Sequence, residues 1–400
     1  MRETIETGAD YDVVVVGGGP AGATAATDLA RAGRSVLLLD RGGRIKPCGG
    51  AIPPVAIRDF AIPASQIVAR VTSARMVAPS RAGVDMPIED GYVGMVDREH
   101  FDEFLRVRAA DSGVRRETAT FEDFSRDADG VARVHFRRKG EGRLVGVRAR
   151  MVIGADGAIS NLARAAMPGA KRPPFVFAYH EIVRAPAAGA AQYDSRRCDV
   201  IYQGAISPDF YGWVFPHGGT VSIGTGSARK GFSLKDAVGR LRADTGLDAV
   251  ETLRREGAPI PMKPLRKWDN GRDVILAGDS AGVVAPASGE GIYYAMLCGR
   301  LAGEAVDLAL TTGDARKLAT ARKRFMADHG RVFWVLGLLQ WIWYRNDRRR
   351  EQFVKICRDP DVQKLTWDSY MNKALVRGRF MAHVRVFFND IGHLLGVVRT

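Results

Sequence analysis

Residues Tyr11–Arg41 read YDVVVVGGGPAGATAATDLARAGRSVLLLDR, and this stretch decides the fold. Val13–Val16 form an unbroken β-branched run, the pattern of a strand buried on both faces. The run ends in Gly17-Gly18-Gly19-Pro20-Ala21-Gly22, which contains GxGxxG, and a small-residue helix follows. Gly33 predicts the end of that helix, and a second apolar run, Val36–Leu39, stops at Asp40. Each residue type has a physical task. Gly17 permits the tight turn. Gly19 lets a pyrophosphate reach the backbone at the helix N-terminus, and Gly22 lets helix and strand pack closely. Asp40 is placed to accept hydrogen bonds from a ribose diol. GxGxxG alone is a weak signal. Strand, glycines, helix, strand and acid in that order specify a dinucleotide-binding βαβ unit.

Downstream, Arg41–Pro54 is too rich in Gly and Pro for a regular element. It leaves the carboxyl end of a strand, where ligands bind in open α/β sheets. Cys48-Gly49-Gly50 between prolines predicts backbone lying against a ligand. Strand patterning is read at Ile67–Ala78, Tyr92–Val96, Val114–Thr120, Val131–Arg138 and Arg143–Ile153, with a helix over Asp97–Asp111. The turn Gly154-Ala155-Asp156-Gly157 makes a second ligand-facing corner. From Pro173 to Trp268 strands and turns dominate. There Tyr211, Trp213 and Phe215 alternate and share one face of a strand. That face is either an aromatic core or an apolar wall over a ligand. The nucleotide-binding pattern then returns: strand Asp273–Ala277, Gly278-Asp279, and Pro286–Ile292 with Gly289 and Gly291 opening a long helix. A carboxylate followed by a glycine-rich helix N-terminus suits a polyol chain and an electron-rich carbonyl.

The net charge is +14, and residues 311–400 hold 18 Lys/Arg against 8 Asp/Glu, so +10 of it lies in the last 90 residues. Val332–Tyr344 reads VFWVLGLLQWIWY, with Arg345, Arg348, Arg349 and Arg350 directly after. Thirteen helical residues reach roughly 20 Å, short of a hydrocarbon core of roughly 30 Å. The stretch is either a buried helix or an interfacial one. In the second case Trp334, Trp341 and Trp343 sit at headgroup level and the arginines face anionic lipid. The basic amphipathic stretch Phe380–Phe388 agrees with a membrane surface, and no nucleic-acid module is recognisable, so no nucleic-acid partner is expected. Cys48, Cys198, Cys298 and Cys357 make no CxxC pair, so no metal site is expected and a reducing cytosol fits. The expected location is cytoplasmic, peripherally associated with a membrane, with neither a secretory signal nor a spanning helix.

The opening fingerprint, Asp156-Gly157 and Gly278-Asp279 together resemble the single-Rossmann flavoprotein group that includes aromatic hydroxylases and geranylgeranyl reductases. Lys46-Pro47-Cys48-Gly49-Gly50 and Tyr211-Gly212-Trp213-Val214-Phe215-Pro216 are similar to the reductases. The tail Trp343-Tyr344-Arg345 through Asp359-Pro360-Asp361-Val362 and Leu365-Thr366-Trp367 resembles their (bacterio)chlorophyll branch.

The resemblance implies an α/β fold in three parts. A discontinuous Rossmann-type FAD-binding domain would take residues 1–65, 97–172 and 268–311. An antiparallel-sheet substrate domain would take 66–96 and 173–267, and a helical, basic region 312–400 would associate peripherally with the photosynthetic or inner membrane. It implies FAD, NADPH as hydride donor, and stepwise reduction of geranylgeranyl to phytyl, on the pigment ester or the free diphosphate. Gly17, Gly19, Ala21 and Gly22 would hold the pyrophosphate and Asp40 the adenosine ribose. Family members more often carry Glu at the latter position. Cys48, Gly49 and Gly50 would lie beside the isoalloxazine, with Cys48 as proton donor or shaping residue. Arg98 and Ala119 match family contacts to FAD. Asp156 marks the second corner. Gly278 and Asp279 would meet ribityl or pyrophosphate oxygens, and Gly289, Gly291 and Ile292 the pyrimidine edge. Tyr211, Trp213 and Phe215 would line a prenyl tunnel. Arg41 and Arg44 are placed to attract NADPH phosphates or to form plain salt bridges. Two rivals share this pattern: an oxygen-consuming aromatic hydroxylase, and a non-catalytic prenyl- or pigment-binding flavoprotein of the membrane.

Overall fold

The computed structural model describes residues 9–43, 45–167, 169–187 and 193–373. Arg44 and Phe380–Phe388 therefore lie outside the described residues.

The strand Tyr11–Val16 sits at the centre of a parallel sheet. It pairs with Val36–Asp40 on one side and with the second half of Leu144–Gly154 on the other. Val274–Leu276 and the start of Arg115–Arg126 complete the parallel part. Val13–Val15 are fully buried, as an apolar run covered on both faces must be. Two strands run longer than their apolar cores. The far halves of Arg115–Arg126 and Leu144–Gly154 pair antiparallel with Ala132–Arg138, so each serves both a parallel sheet and a meander.

Helix Pro20–Arg31 starts at Gly19 and ends before Gly33, whose φ of +82° is left-handed. Its small residues let the long helix Ile292–Thr312 approach closely. A Cβ on Gly299 would stand 2.1 Å from the Ala21 carbonyl oxygen. Backbone therefore meets backbone at this crossing, which only glycine allows.

A seven-stranded sheet packs against the C-terminal region. Its order is Thr252–Pro261, Phe175–Arg184, Thr220–Ser227, Gly212–His217, Arg197–Ile201, Ser73–Val77, Gly83–Pro87. Alternation decides its two faces. Val214, Val221 and Ile223 pack with Leu241 of the outer helix Leu234–Asp244. Tyr211 and Trp213 face the opposite way, with Trp343, Tyr344 and Val354 of the C-terminal region. A small sheet of Ala51–Ile52, Val93–Met95 and Ala69–Val71 lies beside these.

The C-terminal region forms helices Ala319–Trp343, Asp347–Ile356 and Pro360–Asn372. Trp334 and Trp341 are 69% and 65% exposed, whereas Trp343 is only 4% exposed. Two residues past Trp341 the helix has turned about 200°, so Trp343 points inward. Among the described residues no helix is long and apolar enough to cross a membrane.

Candidate functional site

The parallel sheet and the seven-stranded sheet converge on one cavity of about 490 Å³. Its polar end is built by the glycine turn. Gly17 has a φ of +105°, and a Cβ there would stand 2.3 Å from the Ala155 carbonyl oxygen. Gly22 is the packing glycine: its Cβ would fall 1.9 Å from the Gly17 carbonyl oxygen. A Cβ on Gly19 meets nothing within 4 Å, so this glycine leaves its backbone open to the cavity. No side chain caps the helix that starts there and its first turn holds no acid, so its N–H groups face the cavity as an anion cradle. That cradle fits a dinucleotide pyrophosphate.

Asp40 braces the turn. Its Oδ2 accepts from Gly18 N at 2.9 Å and its Oδ1 from Gly42 N at 2.8 Å. Arg106, which the sequence reading missed, donates to the Gly18 carbonyl at 3.3 Å and lies 3.8 Å from Asp40. Arg41 stands at the exposed rim.

Arg98 lines the cavity beside Asp102. The two make a bidentate pair at 2.8 and 2.7 Å, with side chains 8% and 12% exposed. Burial opposes the guanidinium charge, but Asp102, joined by Cys48, outweighs it and raises the arginine's pKa. The i,i+4 spacing of Arg98 and Asp102 was the available signal for this pair. Cys48 Sγ accepts from Gly50 N at 3.3 Å, and Cys48 and Gly49 border the cavity. Phe215 packs onto Gly49, where a Cβ would stand 2.6 Å from its ring. Gly50 itself is turned away from the cavity. Its φ is +70°, and a Cβ would strike Val96 O at 2.4 Å and His217 Nε2 at 2.5 Å.

His217 is buried and bonds through Nδ1 to the Phe215 carbonyl at 3.0 Å. Burial pushes its pKa down to about 4. An unfolded histidine takes its proton near 6.5, so between these values the unfolded chain holds one more proton and stability rises with pH. His217 is expected to cost about 3 kcal/mol of stability as pH falls from 7 to 4. Urea unfolding of His217→Gln and the parent protein across that range checks it, the variant showing the shallower slope.

The other expected ligand-facing residues divide. Ala21, Ala119, Asp279, Gly289, Gly291 and Ile292 line the cavity. Gly278 does not: its φ is +67° and its Cβ would press on Ala21 at 2.7 Å, so it serves the turn and not the ligand surface. Asp156 borders the cavity, but its carboxylate is engaged elsewhere. Oδ1 accepts from Ser160 Oγ at 2.6 Å and Oδ2 from Asn161 N at 2.8 Å and Leu162 N at 3.1 Å. Burial raises its pKa against these bonds. Asp279 forms an ion pair with Lys46, 233 residues away in the chain. At the head of helix Ile292–Thr312 the N-cap Gly291 offers no side chain, and Glu290 Oε1 takes the N–H of Tyr293 at 3.1 Å.

The apolar end is aromatic. Tyr211, Trp213 and Phe215 all line it, joined by Phe210, whose ring stacks on Tyr211 at 4.2 Å. Tyr211 donates to the Ser288 carbonyl at 2.6 Å, and burial pushes its phenol pKa up, so it remains a donor. Trp213 Nε1 donates to Ser222 Oγ at 3.0 Å. Behind it His180 Nδ1 meets the same oxygen at 3.0 Å, and its Nε2 pairs with Glu256. Ser222 is fully buried, so this Ser-His-Glu chain anchors the indole and presents no nucleophile.

The family model described as pyridine nucleotide-disulphide oxidoreductase matches residues 11–172. The geranylgeranyl diphosphate reductase of Rhodobacter capsulatus is 55% identical, covering 97% of this chain and 98% of that protein. The chloroplastic geranylgeranyl diphosphate reductase of Oryza sativa subsp. japonica is 36% identical over 98% of this chain and 88% of its own. In fold, the chain matches the crystal structure of a geranylgeranyl bacteriochlorophyll reductase-like protein from Thermoplasma acidophilum. The TM-score is 0.79 at 24% identity, covering 92% and 98% of the two chains.

Proposed function

The chain belongs to the geranylgeranyl reductase family, and we propose that its cavity reduces geranylgeranyl double bonds to phytyl with electrons from NADPH. It is an FAD-dependent oxidoreductase acting on carbon–carbon bonds in (bacterio)chlorophyll biosynthesis. One observation carries this reading. A single cavity joins a glycine anion cradle to a wall of Phe210, Tyr211, Trp213 and Phe215. The first suits a dinucleotide and the second a prenyl chain.

FAD, when bound, supplies hydride that NADPH replenishes. The residues proposed to hold it are Gly17, Gly19, Ala21 and Asp40 at the polar end. Arg98, Ala119, Asp279, Gly289, Gly291 and Ile292 extend the cradle. The aromatic wall excludes water and fixes the chain. Cys48 is proposed to deliver the proton that saturates the alkene carbon. Its Sγ accepts from Gly50 N and the residue borders the cavity, which places the thiol beside a bound prenyl chain. Cys48→Ala is expected to lower kcat by about 100-fold or more with FAD content unchanged. Full turnover in both Cys48→Ala and Cys48→Ser removes the thiol from the chemistry.

The deciding experiment incubates purified protein with FAD, NADPH and geranylgeranylated pigment without oxygen, then weighs the products. Gains in steps of H2 support the reductase. Dependence on oxygen with oxygen added to a ring supports a hydroxylase instead.

The membrane surface completes the proposal. Trp334 and Trp341 lie seven residues apart on one face of helix Ala319–Trp343, and Arg345 stands 5.5 Å over the Trp341 ring. Exposed indoles beside arginines suit the headgroup layer of an anionic bilayer. The Trp334→Ala/Trp341→Ala protein is expected to bind anionic vesicles at least tenfold more weakly in a flotation assay. Unchanged flotation removes this face from the proposal.

A further inference from the structure

The turn of residues 285–291 borders the cavity through Gly289 and Gly291, and the C-terminal region grips it from behind. Ala287 holds a left-handed φ of +63°, which an alanine rarely adopts. Its N–H donates to Gln340 Oε1 at 3.2 Å, and its carbonyl accepts from Tyr344 Oη at 3.0 Å. Two positions from Ser288, Glu290 forms an ion pair with Lys373, the two side chains being 3% and 5% exposed. Lys373 closes helix Pro360–Asn372 in a left-handed conformation. Its ammonium lies 3.9 Å over the Tyr370 ring and 5.6 Å over Tyr294. A charge pair this dry is costly to assemble, and removing one partner strands the other. Gln340, Tyr344 and Lys373 thus fix the same cavity-facing turn.

We propose that Lys373 is a positioning residue that acts through Glu290, so that docking of the C-terminal helices sets how tightly the 285–291 turn receives FAD. This rests on the reading of the cavity as a flavin site. The mechanism is preorganisation. Glu290 spans both systems, its Oε1 on Tyr293 N at the head of helix Ile292–Thr312 and its Oε2 on Lys373. When the latch is closed, Gly289, Gly291 and Ile292 are already set for the ligand. When it is open, FAD must order the turn at its own cost.

The test titrates full-length apoprotein with FAD by flavin fluorescence and records the bound absorption spectrum and the apoprotein melt. Lys373→Met and Glu290→Gln are each expected to weaken FAD at least tenfold and to alter the visible absorption envelope. The double variant is expected to be no worse than the weaker single, because neither charge is then stranded. Gln340→Leu, at a half-buried position, reads the same coupling without a buried charge and is expected to weaken FAD at least threefold. Lowered melts with FAD affinity and spectrum unchanged would overturn the inference and leave a purely structural pair. So would losses that simply add in the double variant, or FAD binding by Gln340→Leu within twofold of the parent. A parent protein that takes up no FAD sinks the flavin reading itself, which is a distinguishable result.

Discussion

Gly22→Ala is expected to yield a colourless, destabilised protein, and Gly19→Ala a colourless protein of near-normal stability. The two glycines belong to one fingerprint but do different work. At Gly22 a methyl would stand 1.9 Å from the Gly17 carbonyl oxygen and 3.0 Å from Ala155 Cβ. The Gly17 carbonyl is backbone at the end of the central strand and cannot yield. Overpacking of this kind costs about 3 kcal/mol. At Gly19 a methyl meets no protein atom within 4 Å, so the fold accepts it. It projects where the pyrophosphate must approach, and an affinity loss of about 100-fold, roughly 2.7 kcal/mol, is expected. Urea unfolding of the apoproteins and flavin absorbance of the purified proteins read the two effects separately. Equal stability of the two variants would contradict the division of labour.

Arg98→Met is expected to destabilise the protein by about 3–5 kcal/mol, because it leaves Asp102 buried without its partner. The pair is bidentate, and both side chains are almost fully enclosed. Arg98→Met/Asp102→Leu is expected to recover most of that loss, since no unpaired charge remains. Neither variant regains the guanidinium at the cavity wall, so both are expected to bind FAD weakly. Urea unfolding of both proteins checks the first effect, and FAD titration the second. A double variant as unstable as the single would show that the pair is not the source of the loss.

Much of the site was legible because its signals are local. Val13–Val16 reads as a buried strand from its own residues, and Gly17, Gly19 and Gly22 read as a turn from their spacing. Tyr211, Trp213 and Phe215 read as one face from the period of a strand, and all three line the cavity. The resemblance to geranylgeranyl reductases, drawn from the motifs after these, agrees with relatives that match nearly the whole chain. Asp156 shows the limit of such reading. Its place after a strand suggested a ligand contact, yet its carboxylate caps the helix Asn161–Ala166. An acid beside a helix start has two uses, and spacing alone does not choose between them.

The sequence alone determined the βαβ unit, its glycine turn and the aromatic strand face, because backbone freedom and side-chain alternation are properties of neighbouring residues. Tertiary structure decided which charges meet: Lys46 with Asp279, Arg106 with Asp40, Lys373 with Glu290. It also turned Trp343 into the core while Trp334 and Trp341 stayed outside. These partners lie far apart along the chain, and only packing of sheet, long helix and C-terminal helices brings them within reach. A contact made across such distances leaves no periodic or compositional trace in either segment.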